Sequence, residues 1–403
     1  MNINPPKLIL LGLAVWLVPH AELEAQYMDS TAQTESQAYL DKVRSELGAE
    51  ALQSMPEQHV RFLAQSMGRL DRATVPSSIF MEHLRLAESV RTRFYTDMPD
   101  EAFCSYVLSF RIREELSSHA GWRGRFKTEL DPVLGDEKDP AAAAARIFDW
   151  VSGKIKLYGK LRSYPLNLKG DLDPLTTLRG GCGNEIDAAI LAVAALRSAG
   201  IAARIVYAPV LADEDGGKVW AEYRTRDGWA PWAPSLALDA LDASVQGIPK
   251  IKAGMHRDWL KKEFAGRFGY VLANPQRPAN ITCAYTSVTS IWMSPKPLDK
   301  EPFNCTLMLW CRGRLQPLMG RDIYNPEPDN SAAGVGPGKY VIVAGDIKSV
   351  GTLKQMQLNA GQTGWYVMDF EKGEAQFQIA DKKPAFFEWD PETLPPTDPV
   401  KDW

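Results

Sequence analysis

The chain has 403 residues, 45% of them hydrophobic and 24% charged, with a formal net charge of −4. This is globular composition, long enough for two or three domains with their own cores, and its charge balance gives no reason to expect nucleic acid as a partner. Five cysteines without a CxxC pair and five scattered histidines give no metal-site spacing, and no motif calls for a cofactor.

Residues 1–25 read as a signal peptide. Lys7 is a thin positive start, LILLGLAVWLV is an apolar run of the right length, and Ala25 is a small residue before a cut at Gln26. The run is too short and too poorly flanked for a membrane span. The expectation is export to the periplasm or the extracellular space, with no membrane span after signal cleavage; an uncleaved N-terminal anchor is the alternative. Export makes disulfides permissible. Cys283, Cys305 and Cys311 share one β-rich region, so a pair among them is open, and the spacing does not choose it.

Residues 26–125 read as a helical region. TESQAYLDKVRSELGAEAL, EQHVRFLAQSMGRL and SSIFMEHLRLAESVRTRFY carry apolar residues at three- and four-residue spacing. PDEAFCSYVLSFRIREELSSH opens with a proline and an acidic first turn, as helices do. Cys104 falls on its apolar face and is expected to be a buried, inert thiol.

From 126 to 275 the pattern becomes helix followed by strands. PAAAAARIFDWVSGKI has Pro140 near its first turn. The basic stretch KIKLYGKLRSYPLNLK reads as a solvated face. NEIDAAILAVAALRSAG is the strongest helix: Asn184 can cap it, Glu185 and Asp187 occupy its first turn, and Gly200 stops it. Ile186, Ile190, Val193 and Leu196 form an apolar face and the alanines permit close packing, which predicts a central position. AARIVYAPVL, KVWAEYRT and GWAPWAP read as strands, and DED at 213–215 as a solvated turn. Residues 276–383 are β-rich, with short strands at the spacing of a β-sandwich. GVGPGKY at 334–340 reads as a hairpin turn and not a phosphate-binding loop. Residues 384–403 form a proline-rich acidic tail.

GGCGNEIDAAILAVAALRSAGIAARIVYAPV followed by KVWAEYRTRDGWAPWAPS resembles the transglutaminase-like superfamily, whose core is papain-like. In that pattern Gly-x-Cys opens a helix, and LR-x-x-G-I-x-A-R enters a strand. A strand with His-x-Trp-x-Glu follows, and then one with Trp-x-x-x-Asp-Pro. Cys182, Arg197, Gly200, Ile201, Ala203 and Arg204 fall on the first part; Trp220, Glu222, Trp229 and Pro234 fall on the rest. YVLSFRIREE resembles a segment preceding the core in secreted bacterial members, whose cores are followed by an immunoglobulin-like domain. The resemblance therefore implies an α+β fold with an N-terminal helical region, a transglutaminase-like core and a C-terminal β-sandwich. The implied divisions are 1–25 signal, 26–125 helical, 126–275 core, 276–383 sandwich and 384–403 tail.

The implied nucleophile is Cys182. The family's histidine position holds Lys218 and its aspartate position holds Ala233. A helix amino end favours a negative sulfur, and the glycines at 180, 181 and 183 let a ligand approach the backbone. What is missing is the proton shuttle, a group worth ~10²–10⁴-fold in rate. An ordinary lysine, with a reference pKa near ~10.4, cannot serve at neutral pH, and Ala233 cannot orient a partner. His59, His83, His119 and His256 have no spacing that brings them to Cys182. The expectation is a catalytically inactive protein that binds a peptide, protein or glycopeptide ligand or acts as a scaffold. The alternatives are a thiol-dependent peptidase, amidase or transglutaminase using Cys182 with an atypical base, and a structural protein in which the β-sandwich does the binding. Trp220, Trp229 and Trp232 are expected to pack, and Glu222 to pair with Arg204.

Overall fold

The computed structural model describes residues 21–48, 50–113, 115, 121–158, 172–208, 218–233, 245–247, 271–273, 279–296, 304–311, 314–317, 331–346, 349–369 and 371–386. The apolar run before Ala21, the turn at 213–215, His119, His256 and nearly all of the tail lie outside these residues.

The N-terminal part is helical. α1 (Ala21–Leu47) begins well before the sequence periodicity does, and α2 (Glu50–Gln53), α3 (Glu57–Ser66), α4 (Arg69–Thr74) and α5 (Ser77–Val90) follow. Pro56 and Pro76 stand at the N-caps of α3 and α5, where a fixed φ is welcome and no amide proton is needed. α6 (Asp100–Phe103) passes directly into a π-helix (Cys104–Leu108), and the backbone turns extended at Ser109, with φ −43 and ψ 130. The helix expected across PDEAFCSYVLSFRIREELSSH therefore stops early. Its unpaired carbonyls are taken by arginines from distant parts of the chain. Arg123 donates to Val107 O at 2.6 Å; Arg197 donates to Ser105 O at 3.4 Å and to Arg111 O at 3.2 Å.

α7 (Trp122–Leu134) was not singled out by periodicity, and it runs through residues 125 and 126. Its buried face, Trp122, Phe126, Leu130 and Leu134, packs in the same cluster as α10. α8 (Pro140–Lys154) starts as its sequence predicts, with Pro140 first and the Asp139 carboxylate accepting from Ala142 N. β1 (Lys156–Tyr158), α9 (Pro174–Gly180) and β2 (Cys182–Gly183) lead to α10 (Glu185–Ala199). α10 has a full capping box, Asn184 accepting from Ile186 and Asp187 N–H while Asp187 accepts from Asn184 N–H. It ends at Gly200 in the left-handed region, φ +94. Every residue from Asp187 to Ala199 is buried, so α10 is central on all faces rather than along one stripe.

β3 (Ala203–Ala208), β4 (Lys218–Thr225) and β5 (Gly228–Trp232) form an antiparallel sheet, after which β6 (Val245–Gly247), β7 (Leu272–Ala273) and β8 (Ala279–Asn280) complete the central part. The five-stranded sheet has the order β5-β4-β3-β7-β8, and a small sheet has the order β2-β1-β6. Alternation divides β4. Ala221 and Tyr223 join the helix-side cluster with α7, α8 and α10. Trp220 joins a second cluster with Val206, Ala208, Ala233, Val271, Ala273 and Tyr285 on the opposite face.

The C-terminal strands are β9 (Thr289–Lys296), β10 (Asn304–Cys311), β11 (Arg314–Pro317), β12 (Ser331–Val335), β13 (Gly338–Asp346), β14 (Ser349–Leu358), β15 (Thr363–Asp369) and β16 (Glu374–Ile379). They form two four-stranded sheets, β11-β10-β13-β14 and β12-β9-β15-β16. Leu307, Leu309, Ile342 and Leu358 from one share a buried cluster with Ile291, Met293, Tyr366 and Met368 from the other. GVGPGKY is not a hairpin turn: β12 pairs with β9 while β13 pairs with β10 and β14, so this segment crosses between sheets. The open disulfide is also corrected. Cys283 is a free, exposed cysteine. Cys305 and Cys311 lie in one strand, where six residues of extended chain span ~20 Å, far beyond the ~7 Å Cα limit of a bridge. Among the described residues no helix is long and apolar enough to cross a membrane, and no cluster of His, Cys, Asp and Glu could hold a metal ion.

Candidate functional site

Cys182 sits where the sequence places it, at the entrance to α10, on a short strand rather than in a free turn. β2 pairs in parallel with β1, with Lys156 opposite Cys182 and Leu157 opposite Gly183. Gly181, with φ +65, ends α9 and turns the chain into β2, and its carbonyl accepts from Lys156 N–H at 3.0 Å. Gly183 has a different reason to be glycine. A Cβ there would stand 2.7 Å from Asp187 Cβ, against the side chain that completes the cap of α10.

The Cys182 thiol is half-exposed and donates to Gly180 O at 3.3 Å, a bond that requires the S–H proton. The helix end behind it is already occupied. Asn184 takes two of the first free N–H groups, and the carboxylate of Asp187, itself buried, also accepts from Leu172 N–H at 3.4 Å. The expected assistance from the α10 amino end is thus shared with an internal cap that carries its own negative charge.

The other two family positions lie on the central sheet, Lys218 opening β4 and Ala233 directly following β5. Lys218 is opposite Ala208 in the register, and Ala221 is opposite Trp232, which sets Ala233 beside Trp220. Along β4, however, Lys218 alternates with Trp220 and Glu222 on the face turned away from α10. Ala233 is fully buried in the apolar cluster of that face.

That face carries a polar network the sequence reading found only in part. The Arg204–Glu222 pair is present, Nε to Oε2 at 2.9 Å, with the two side chains 4% and 0% exposed. Tyr285 donates to Glu222 Oε1 at 2.5 Å and accepts from Trp220 Nε1 at 3.1 Å. The Arg204 guanidinium lies 4.0 Å over the Trp229 ring and 5.7 Å from that of Tyr106. Trp220 and Trp232 are buried as expected, Trp232 stacked on Phe148 at 4.7 Å. Tyr285 lies outside the resembling segment, and nothing in its spacing announced it.

The described histidines are engaged elsewhere. His83 is buried between Phe110 and Trp122, and its Nε2–H donates to Leu108 O at 2.8 Å. Burial and the neighbouring Arg123 hold it well below its ordinary value. His59 lies between Glu88 and Asp100, its Nδ1 2.5 Å from Glu88 Oε1. Cys104 is buried as expected, and desolvation pushes its thiol up to about 12. Arg123 and Arg197 are both sealed from solvent, and burial lowers them to about 9 and about 10. In the YVLSFRIREE segment, Arg111 pairs with Asp71, and Glu115 accepts from Ile112 and Arg113 N–H at 2.7 Å each. Desolvation raises Glu115 from its ordinary value, against the backbone N–H bonds that lower it.

Residues 129–234 match the family model of the transglutaminase-like superfamily, and this part of the chain is a transglutaminase-like domain. Among solved structures the chain is similar to "a Putative Cysteine Protease from Cytophaga hutchinsonii", with 14% identity and a TM-score of 0.27, covering 40% of this chain and 50% of that one. It is also similar to a "putative protease from Parabacteroides distasonis ATCC 8503", with 12% identity and a TM-score of 0.28, covering 61% of this chain and 41% of that one. The chain thus spans half or less of the length of each. A search of curated proteins found no match.

Proposed function

We propose that this chain is an exported, catalytically silent transglutaminase-like protein whose Cys182 cleft binds a peptide, amide side chain or glycopeptide without turning it over. The observation that carries this reading is the pair of family positions. The histidine position is a lysine on the β4 face turned away from α10, and the aspartate position is an alanine sealed among Trp220, Ala208 and Tyr285. Thiol-based acyl transfer needs a group that takes the sulfur's proton and returns it to the leaving group. The Cys182 thiol donates a hydrogen bond to Gly180 O, and the described histidines belong to the helical part. The two C-terminal sheets around one apolar cluster favour an immunoglobulin-like β-sandwich for residues 276–383.

The test is turnover. Purified protein lacking residues 1–25 is assayed for amide hydrolysis and for amine incorporation into peptide amides, beside Cys182→Ala. The expected result is no difference between the two proteins. Multiple turnovers that vanish in Cys182→Ala would make it a working thiol enzyme.

A further inference from the structure

The basic stretch KIKLYGKLRSYPLNLK read as a solvated face, and no part of the function above uses it. Its start is β1, and the register sets Lys156 directly across from Cys182. Neighbouring strands lie ~4.8 Å apart, and residues paired in a parallel ladder project to the same side of the sheet. The flanking pattern fixes which side. Ile155 and Leu157 are buried, 2% and 1% exposed, and enter the helix-side core. Lys156 is exposed, and Cys182 opposite it is half-exposed. No ion pair engages Lys156 among the described residues, whereas its neighbour Lys154 is held by Glu129 at 2.8 Å. One turn before Cys182, Arg179 is also exposed. The solvent side of the thiol is therefore bordered by an ammonium that no acidic side chain among the described residues neutralises.

We infer that Lys156 makes the Cys182 cleft selective for anionic ligands: a peptide amide lying over the thiol with a carboxylate side chain within reach of the Lys156 ammonium. This rests on Cys182 marking the ligand-binding cleft, and it names the class of peptide taken there. Lys156 is a specificity residue: its exposed side chain borders the thiol and takes no part in proton transfer in this reading.

The charge around the thiol can be read without any turnover. Iodoacetate and iodoacetamide alkylate by the same displacement. The sulfur forms an S–C bond, iodide leaves, and the thiol proton goes to solvent; only iodoacetate carries a negative charge. The rate ratio of the two reagents at Cys182 is measured by peptide mapping, with exposed Cys283 as the internal reference. A unit charge ~6 Å away in water changes that ratio by about threefold. The expected result is a ratio at Cys182 about threefold above that at Cys283, falling to the reference value in Lys156→Gln and in high salt, and unchanged in Lys218→Gln. In a second arm, acetyl-Ala-Glu-Ala-amide should protect Cys182 from iodoacetamide better than acetyl-Ala-Gln-Ala-amide, a difference lost in Lys156→Gln. An unchanged ratio in Lys156→Gln, an equal fall in Lys218→Gln, or equal protection by the two peptides would overturn the inference. None of these readouts depends on whether the protein is an enzyme, so turnover would sink the silent reading and leave the charge selectivity standing.

Discussion

Replacing Gly200 by alanine tests how the central helix is joined to its sheet. Two costs add. The residue has φ +94, a conformation that costs an L side chain ~1–2 kcal/mol. The new Cβ would also lie 2.5 Å from Val90 O, a backbone atom at the end of α5 that moves only if the helix moves. Overpacking of that kind costs ~1–3 kcal/mol, so Gly200→Ala should lose about 2–5 kcal/mol. Gly181 supplies the control. It too ends a helix in the left-handed region, φ +65, but a Cβ there meets Lys154 O at an ordinary 3.8 Å. Gly181→Ala should therefore lose only the conformational part, ~1–2 kcal/mol. Urea unfolding followed by tryptophan fluorescence gives both losses as midpoint shifts at constant m. Equal losses in the two variants would refute the argument from Val90.

Gly183→Ala should cost ~1–3 kcal/mol by sterics against Asp187 and loss of the cap, read as a lower urea midpoint. Glu222→Leu leaves the buried Arg204 guanidinium without its carboxylate and should cost ~3–5 kcal/mol. Adding Arg204→Met to it should recover much of the loss, and a double variant no better than the single would contradict the pairing. His83 gives a pH test. Its folded value lies below 6.5, so as pH falls through 6.5 the unfolded chain takes up a proton that the folded one refuses. Stability is full above that pH and is lost on acidification at up to ~1.4 kcal/mol per unit. His83→Gln should show a shallower acid slope between pH 6.5 and 5 than the parent, measured by urea unfolding at each pH.

The parts of the fold legible in the sequence are those whose signals are local. α10 carries its own cap, acidic first turn and terminal glycine within one stretch, and β3, β4 and β5 alternate between polar turns. The early end of the Asp100 helix was not legible. The acceptors of that turn are satisfied by Arg123 and Arg197, and no window around residue 104 contains either of them. α7 is not legible in the sequence because Gly124 and Pro132 interrupt its helical signal, and packing on α10 overrides both. Cys182, Lys218 and Ala233 are positions the family resemblance implies, and they fall at the entrance to α10, at the start of β4 and just after β5. Lys156 lies in a charged run that reads as a solvated face, although the apolar, charged, apolar order at 155–157 is the alternation of a strand.

The two sealed guanidinium groups bear on how the protein can be cut. Arg123 gives one nitrogen to the Arg197 carbonyl at 2.6 Å and another to Val107 O. The family match opens at residue 129, partway along α7 and past Arg123. A fragment trimmed to the matched limits would start in mid-helix and bare the flank of α10 that Trp122 and Phe126 cover. The smallest piece able to fold reaches upstream into the segments those arginines tether, so an expression boundary belongs before Ser105 and not at the edge of the recognisable motif.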